Sequence, residues 1–109
     1  MRYSRVLLQD AATATRNGTV ISVKGGPAAI NFVSTGSPVG TVTFEGALDA
    51  ADASFVAVPV ETVTGTLVTS TTSAGYFRLP LNHGLSVFRA RISAYTSGSF
   101  TIQGSAARL

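Results

Sequence analysis

Side chains able to perform acid–base or nucleophilic chemistry are few in this sequence. His83 is the single histidine, and it stands between Asn82 and Gly84 in a segment typical of a turn. No spacing among the carboxylates predicts two of them facing each other across a cleft, as glycoside hydrolysis requires. They are Asp10, Glu45, Asp49, Asp52 and Glu61. Asp49 and Asp52 could offer oxygen ligands to Ca²⁺ from one loop, and loop acids are equally typical of turn initiation. We therefore expect no enzymatic activity, no metal site and no cofactor.

Cysteine is absent and the basic residues are dispersed. The lack of cysteine excludes disulfides, thiolate metal sites and a thiol nucleophile. The net charge is +3, from eight basic residues against five acids. Apart from Lys24 the basic residues are arginines: Arg2, Arg5, Arg16, Arg78, Arg89, Arg91 and Arg108. Nucleic-acid binders usually group such residues in a patch with aromatics, so we expect no nucleic acid as partner. Arginine forms fixed contacts with carboxylates, which favours protein partners.

The chain that must position these residues reads as one all-β domain. Only 12% of the residues are charged, against about 25% in a typical soluble domain, and threonine and serine take their place. From Gly18 onwards apolar and polar residues alternate with a period of two between turn signals. The predicted strands cover 19–24, 28–34, 40–46, 55–61, 67–73, 76–81, 86–95 and 100–103. About eight strands without amphipathic helices predict an antiparallel β-sandwich or jelly roll.

The inward faces of these strands follow from the alternation. The residues expected in the core are Ile21, Val23, Ala28, Ile30, Phe32, Val42, Phe44, Phe77, Leu79, Leu81, Phe88, Ala90, Ile92, Ala94, Phe100 and Ile102. Glu45 is expected on an outward face. Pro59 has no N–H for a central ladder, so its strand should lie at an edge or carry a bulge.

The first sixteen residues leave two interpretations open. The apolar triplet Val6, Leu7 and Leu8 precedes an Ala/Thr stretch without alternation. Residues 1–16 are either an edge strand or an arm that docks on a neighbouring subunit, ahead of a β-sandwich domain at 17–109. The triplet is too short for a signal sequence, and nothing later reaches the length of a membrane span. We expect a protein that is made and kept in the cytoplasm until it is assembled, and that has no membrane partner.

Strand 86–95 supplies the strongest candidate for a binding surface. Arg89, Arg91 and Tyr95 are expected to point outward together, and arginine and tyrosine are enriched at protein interfaces. Such a face is also typical of plain solvent exposure. A third interpretation is carbohydrate binding, with Phe55, Tyr76 or Tyr95 stacking on sugar rings. The absence of tryptophan weakens that interpretation.

Three segments, at 40–46, 71–78 and 88–99, resemble small proteins encoded in the structural gene clusters of tailed phages. The resemblance extends over residues 17–107. It implies a virion protein with a jelly roll similar to carbohydrate-binding modules. Such a protein would be a capsid decoration protein that binds the major capsid protein as a homotrimer, or a tail or fibre accessory that binds glycans. Phe55 stands where such relatives often carry tryptophan, which weakens the glycan alternative.

Overall fold

The computed structural model describes residues 2–23, 28–33, 38–48, 54–80 and 84–108. Within these ranges, side-chain environments are described for residues 6–105. Asp49, Asp52, Leu81 and His83, singled out above, lie outside the described residues. The strands are β1 (Arg2–Ala12), β2 (Ile21–Ser22), β3 (Ala28–Phe32), β4 (Val39–Ala47), β5 (Val56–Ala57), β6 (Val60–Thr62), β7 (Leu67–Val68), β8 (Ser70–Thr71), β9 (Gly75–Arg78), β10 (Val87–Ser97) and β11 (Phe100–Arg108).

The strands form two antiparallel sheets that pack as a sandwich. One sheet has the order β1-β11-β3-β9-β6-β7, and the other has the order β2-β10-β4-β5 with β8 also paired to β4. The predicted all-β sandwich class is confirmed, with eleven strands in the described chain where about eight were expected. The prediction of one strand at 55–61 is wrong, because this segment forms two strands, β5 and β6. The chain changes sheets between β5 and β6, because Pro59 cannot donate a ladder hydrogen bond.

The core lies between the two sheets and follows the period-two pattern. Ile30, Val42, Phe88 and Ile92 have no exposed surface, and Phe44 is 1% exposed. The other predicted core residues with described side chains are also buried, with one exception on β10. Phe44 stacks with Phe88 at a ring distance of 6.3 Å, which joins β4 to β10 inside the core.

The exception on β10 arises from a β-bulge. Ile92 pairs with Val42 and Ala94 pairs with the next residue, Thr41, so β10 holds one extra residue at this point. The predictions that Ala94 faces inward and Tyr95 outward are therefore wrong. Ala94 is exposed, while Tyr95 packs against the core, with its ring 6.1 Å from that of Phe100.

The N-terminal segment forms β1, at the edge of the six-stranded sheet. It pairs along its length with β11, with register shifts after Leu7 and after Gln9. Leu8 is 1% exposed and lies against Gly104, where an added Cβ would come within 2.9 Å of the leucine Cδ1. Leu8 therefore packs in the core of its own domain, which corrects its assignment to a contact with a neighbouring subunit. Val6 is half-buried against the same core, and Leu7 is exposed.

A buried amide connects the two sheets. Gln9 is 1% exposed, and its Nε2 donates to the carbonyl oxygen of Ala90 at 2.9 Å and to that of Arg16 at 3.3 Å. Arg16 also pairs with Ile92 through two backbone hydrogen bonds. The side chain of Gln9 thus joins β1 of one sheet to β10 of the other.

Candidate interaction surface

The outward side of the five-stranded sheet carries the predicted arginines. Arg89 lies opposite Glu45, and Arg91 lies opposite Thr43, across the β4–β10 ladder. Their β10 neighbours Phe88, Ala90 and Ile92 have no exposed surface, which fixes the arginine side chains on the outer side. We call the surface formed by Glu45, Arg89, Arg91, Thr43, Ser93 and Ser70 the arginine face.

Glu45 and Arg89 form a tightly held ion pair within this face. The Nε of Arg89 donates to Oε1 of Glu45 at 2.8 Å, and its second guanidinium nitrogen lies 2.7 Å from the same oxygen. The two side chains are only 16% and 10% exposed. The guanidinium of Arg89 also lies 4.0 Å from the ring centroid of Phe55, a cation–π contact. Glu45 points outward as predicted, yet this pairing leaves it almost buried.

Arg91 shares the same carboxylate but stays open to solvent. Its guanidinium lies 3.6 Å from Oε2 of Glu45, and its side chain is 43% exposed. Two guanidinium groups therefore face one carboxylate, which leaves one positive charge in excess in this cluster. That excess charge sits on the arginine that solvent can reach.

Small hydroxyl side chains surround Arg91. Thr43 lies directly opposite it on β4, and Ser70 lies opposite Thr43 on β8. The hydroxyl oxygens of Thr43 and Ser93 are 2.7 Å apart, and the hydroxyl of Ser93 donates to the carbonyl oxygen of Thr41. Either hydroxyl can donate in the 2.7 Å contact. In both arrangements the oxygen of Thr43 keeps a lone pair that can accept a further hydrogen bond.

The outer side of the six-stranded sheet has a different chemistry. Leu7, Gln103, Asn31 and Tyr76 lie in one row across four neighbouring strands. In the next row, Arg78 contacts Glu61 at 3.5 Å, with the arginine side chain 64% exposed. The first row is therefore apolar and amide-rich, and in the second row the register places Arg5 in line with Arg78.

The three aromatic residues proposed for sugar stacking are not brought together. Phe55 lies under Arg89 on the arginine face, whereas Tyr76 lies on the outer side of the other sheet. Tyr95 packs on the core, and its hydroxyl donates to the carbonyl oxygen of Gly98 at 2.7 Å. These residues therefore form no common aromatic platform.

Among the predicted interface residues, the structure unites Arg89 and Arg91 and separates them from the others. Val6 and Leu7 lie on the edge strand of the opposite sheet, and Tyr95 has turned inward. Glu45 was not predicted as part of this surface. The alternation of apolar residues around Glu45 indicates that its side chain points outward. Only the β4–β10 register shows that it lies opposite Arg89.

The described residues contain neither a metal-binding cluster nor a helix that could cross a membrane. No group of three or more histidine, aspartate or glutamate side chains is placed to hold a metal ion in the described ranges. The same part of the chain has no helix of the length and apolarity that crossing a membrane demands.

Comparisons with known proteins find similarity to this chain in structure and not in sequence. No protein-family model matches the sequence, and no curated protein matches it. The solved structure of SPBc2 prophage-derived protein YomS superposes with a TM-score of 0.77 at 18% identity, covering 95% of this chain and 91% of that one. PBSX exported protein XepA superposes with a TM-score of 0.81 at 17% identity, covering 96% of this chain and 37% of that one. At these identities the likeness shows a shared fold, which in XepA occupies about a third of a longer chain.

Proposed function

We propose that this chain is a structural protein of a phage particle, a capsid decoration protein that binds the outer shell as a homo-oligomer. The observation that carries the proposal is the fold shared, over nearly the whole of both chains, with a prophage-derived protein. The phage-cluster resemblance of segments 40–46, 71–78 and 88–99 supports the same assignment. The proposal assigns the chain no catalytic role and no cofactor.

The proposed mode of action uses the two outer sides of the sandwich as contact surfaces. Arg89 and Glu45 hold each other in place before any partner binds, so little side-chain freedom is lost when a partner docks on the arginine face. In an oligomer, each copy needs only a modest contact with the major capsid protein, because linked contacts multiply. A homotrimer would match the threefold positions of a capsid lattice, and the proposed location is the virion.

A tail or fibre module that binds glycans is the alternative. The observation that favours it is the match to 37% of XepA, since the same fold there serves as one part of a longer protein. Tyr76, 49% exposed on the six-stranded sheet, is the aromatic residue best placed to stack on a sugar ring. Phe55 and Tyr95 are engaged by Arg89 and by the core.

Light scattering followed by cosedimentation tests the proposal. The purified protein is measured for its mass in solution and then mixed with phage capsids that lack it. A stable trimer that pellets with the capsids supports capsid decoration. A monomer that stays in the supernatant contradicts it, and binding on a glycan array that Tyr76→Ala abolishes would establish the alternative.

A further inference from the structure

We propose that the arginine face binds an acidic segment of a protein partner, and that Arg91 is the residue that pairs with the partner's carboxylates. The inference deepens the proposed function, on which it rests for the kind of partner, by naming the chemistry of the contact. The two arginines have different roles. Arg89 belongs to the fixed structure of the surface, and Arg91 contacts the partner.

Arg89 forms part of the surface itself, because two of its guanidinium nitrogens already contact Glu45. Two of its nitrogens face Oε1 of Glu45, and its guanidinium plane lies against Phe55. With a side chain 16% exposed, it has little surface left for a ligand.

Arg91 is positioned for recognition because it meets Glu45 with one nitrogen and at a longer distance. That nitrogen, NH1, lies 3.6 Å from Oε2, and the side chain is 43% exposed. A guanidinium carries five N–H donors in a planar fork that matches a carboxylate. The contact with Glu45 restrains Arg91 while leaving the outer edge of the fork accessible.

The surroundings of Arg91 allow a partner chain to approach closely. The neighbouring side chains on β8, β4 and β10 are short hydroxyl residues: Ser70, Thr43 and Ser93. The longer side chain of Arg91 therefore extends beyond them. A free lone pair of Thr43 can accept an N–H donor from the backbone of the bound segment. An extended acidic peptide offers both groups, carboxylates for the guanidinium and amides for the hydroxyl oxygens.

The charge distribution selects this face for an acidic partner. Two arginines against one glutamate leave a positive charge here. A second copy of the chain fits less well, because each copy carries a net charge of +3. Charge complementarity therefore favours a different, acidic protein.

The test is an NMR titration of the full chain with a ten-residue glutamate peptide. We expect chemical-shift changes at the amides of Thr43, Ser70, Arg91 and Ser93, and an affinity that falls as salt rises. Arg91→Gln should weaken binding about two- to fivefold, the loss expected for one exposed charge pair. Arg78→Gln removes the same charge from the other sheet and should leave the affinity unchanged.

Several outcomes would overturn the inference. They are shift changes centred on β1 or on the six-stranded sheet, equal weakening by both variants, or equal binding of inorganic phosphate at the same amides. Shift changes at these amides on raising the protein concentration alone would instead identify a second copy as the occupant. Because Arg91 is 43% exposed, the Gln variant should keep its fold, which its NMR spectrum verifies.

The capsid experiment separates the failure of this inference from that of the proposed function. If wild type and Arg91→Gln pellet equally with capsids, the protein decorates capsids through another surface and the inference fails alone. If the peptide binds as described and neither the wild type nor the variant pellets with capsids, the inference about the arginine face is supported and the capsid assignment fails.

Discussion

Replacing Glu45 by alanine should be among the most damaging single changes on the outer surface of the protein. The substitution removes one carboxylate and leaves Arg89 and Arg91 beside each other without a counter-charge. Arg89 is largely withdrawn from water, with 16% of its side chain exposed, so solvent compensates only part of the loss. Breaking a buried pair on one side costs about 3–5 kcal/mol, and the partial exposure here lowers the expectation to about 3 kcal/mol.

A double-mutant cycle isolates the pair itself. Glu45→Ala, Arg89→Ala and the double variant are compared by urea unfolding followed by circular dichroism. Two charge-assisted hydrogen bonds, at 2.8 Å and 2.7 Å to one oxygen, should give a coupling energy of about 2 kcal/mol. Adding Arg91→Ala to Glu45→Ala should cost less than Arg91→Ala alone, because it removes one of two repelling charges.

The molecule contains its own control pair. Arg78 and Glu61 also lie opposite each other on neighbouring strands, but their contact is 3.5 Å and the arginine is 64% exposed. Their cycle should give less than about 0.5 kcal/mol and should shrink further in salt. Equal coupling energies for the two pairs would refute the reasoning, because burial and geometry would then make no difference to pair strength.

The remaining predictions concern the buried side chain of Gln9 and its surroundings, and the bulge on β10. Gly18→Ala should destabilise by about 3 kcal/mol, because φ is +80° and a Cβ would lie 2.5 Å from the backbone oxygen of Leu8 and 2.4 Å from Nε2 of Gln9. Gly65→Ala, at φ +86° in open space, should cost about 1 kcal/mol. Equal costs would show that the close contacts around Gly18 do not matter to stability. Gln9→Leu should cost about 1 kcal/mol in urea unfolding. The buried carbonyl of Ala90 loses its donor, and removal of Oε1, which is buried without a hydrogen-bond partner, offsets part of that loss. An unchanged midpoint would contradict this role. Tyr95→Phe should cost about 1 kcal/mol or less, since it removes one exposed hydrogen bond and keeps the ring in place, and a larger loss would argue against that ring packing.

The core could be predicted from the sequence because a strand buried on one face alternates apolar and polar residues over a few neighbouring positions. Val42 and Phe44, or Phe88, Ala90 and Ile92, alternate with polar residues over a few positions, and the structure buries each of them. No knowledge of strand order is needed for this inference. The same local rule failed where the strand itself departs from a regular pleat.

The bulge at the end of β10 shows why the rule failed there. Ala94 continues the apolar alternation, and tyrosine is tolerated on either side of a sheet, so nothing in the residue types marks an extra position. The sign lies instead on the partner strand, where Gly40 faces Tyr95. A Cβ on Gly40 would lie 2.4 Å from the carbonyl oxygen of Ala94, so this glycine permits the close approach that the bulged strand makes.

The candidate surface depended on information that no local pattern contains. Arg89 and Glu45 are separated by 44 residues, and their meeting requires both the pairing of β4 with β10 and its register. A register slip of one residue would place Arg89 opposite an inward-facing neighbour of Glu45 and would abolish the ion pair. The pair therefore reports on strand register as well as on charge. A variant in which Glu45 and Arg89 exchange positions should restore much of the stability that either single reversal removes, provided that the ladder holds them opposite each other.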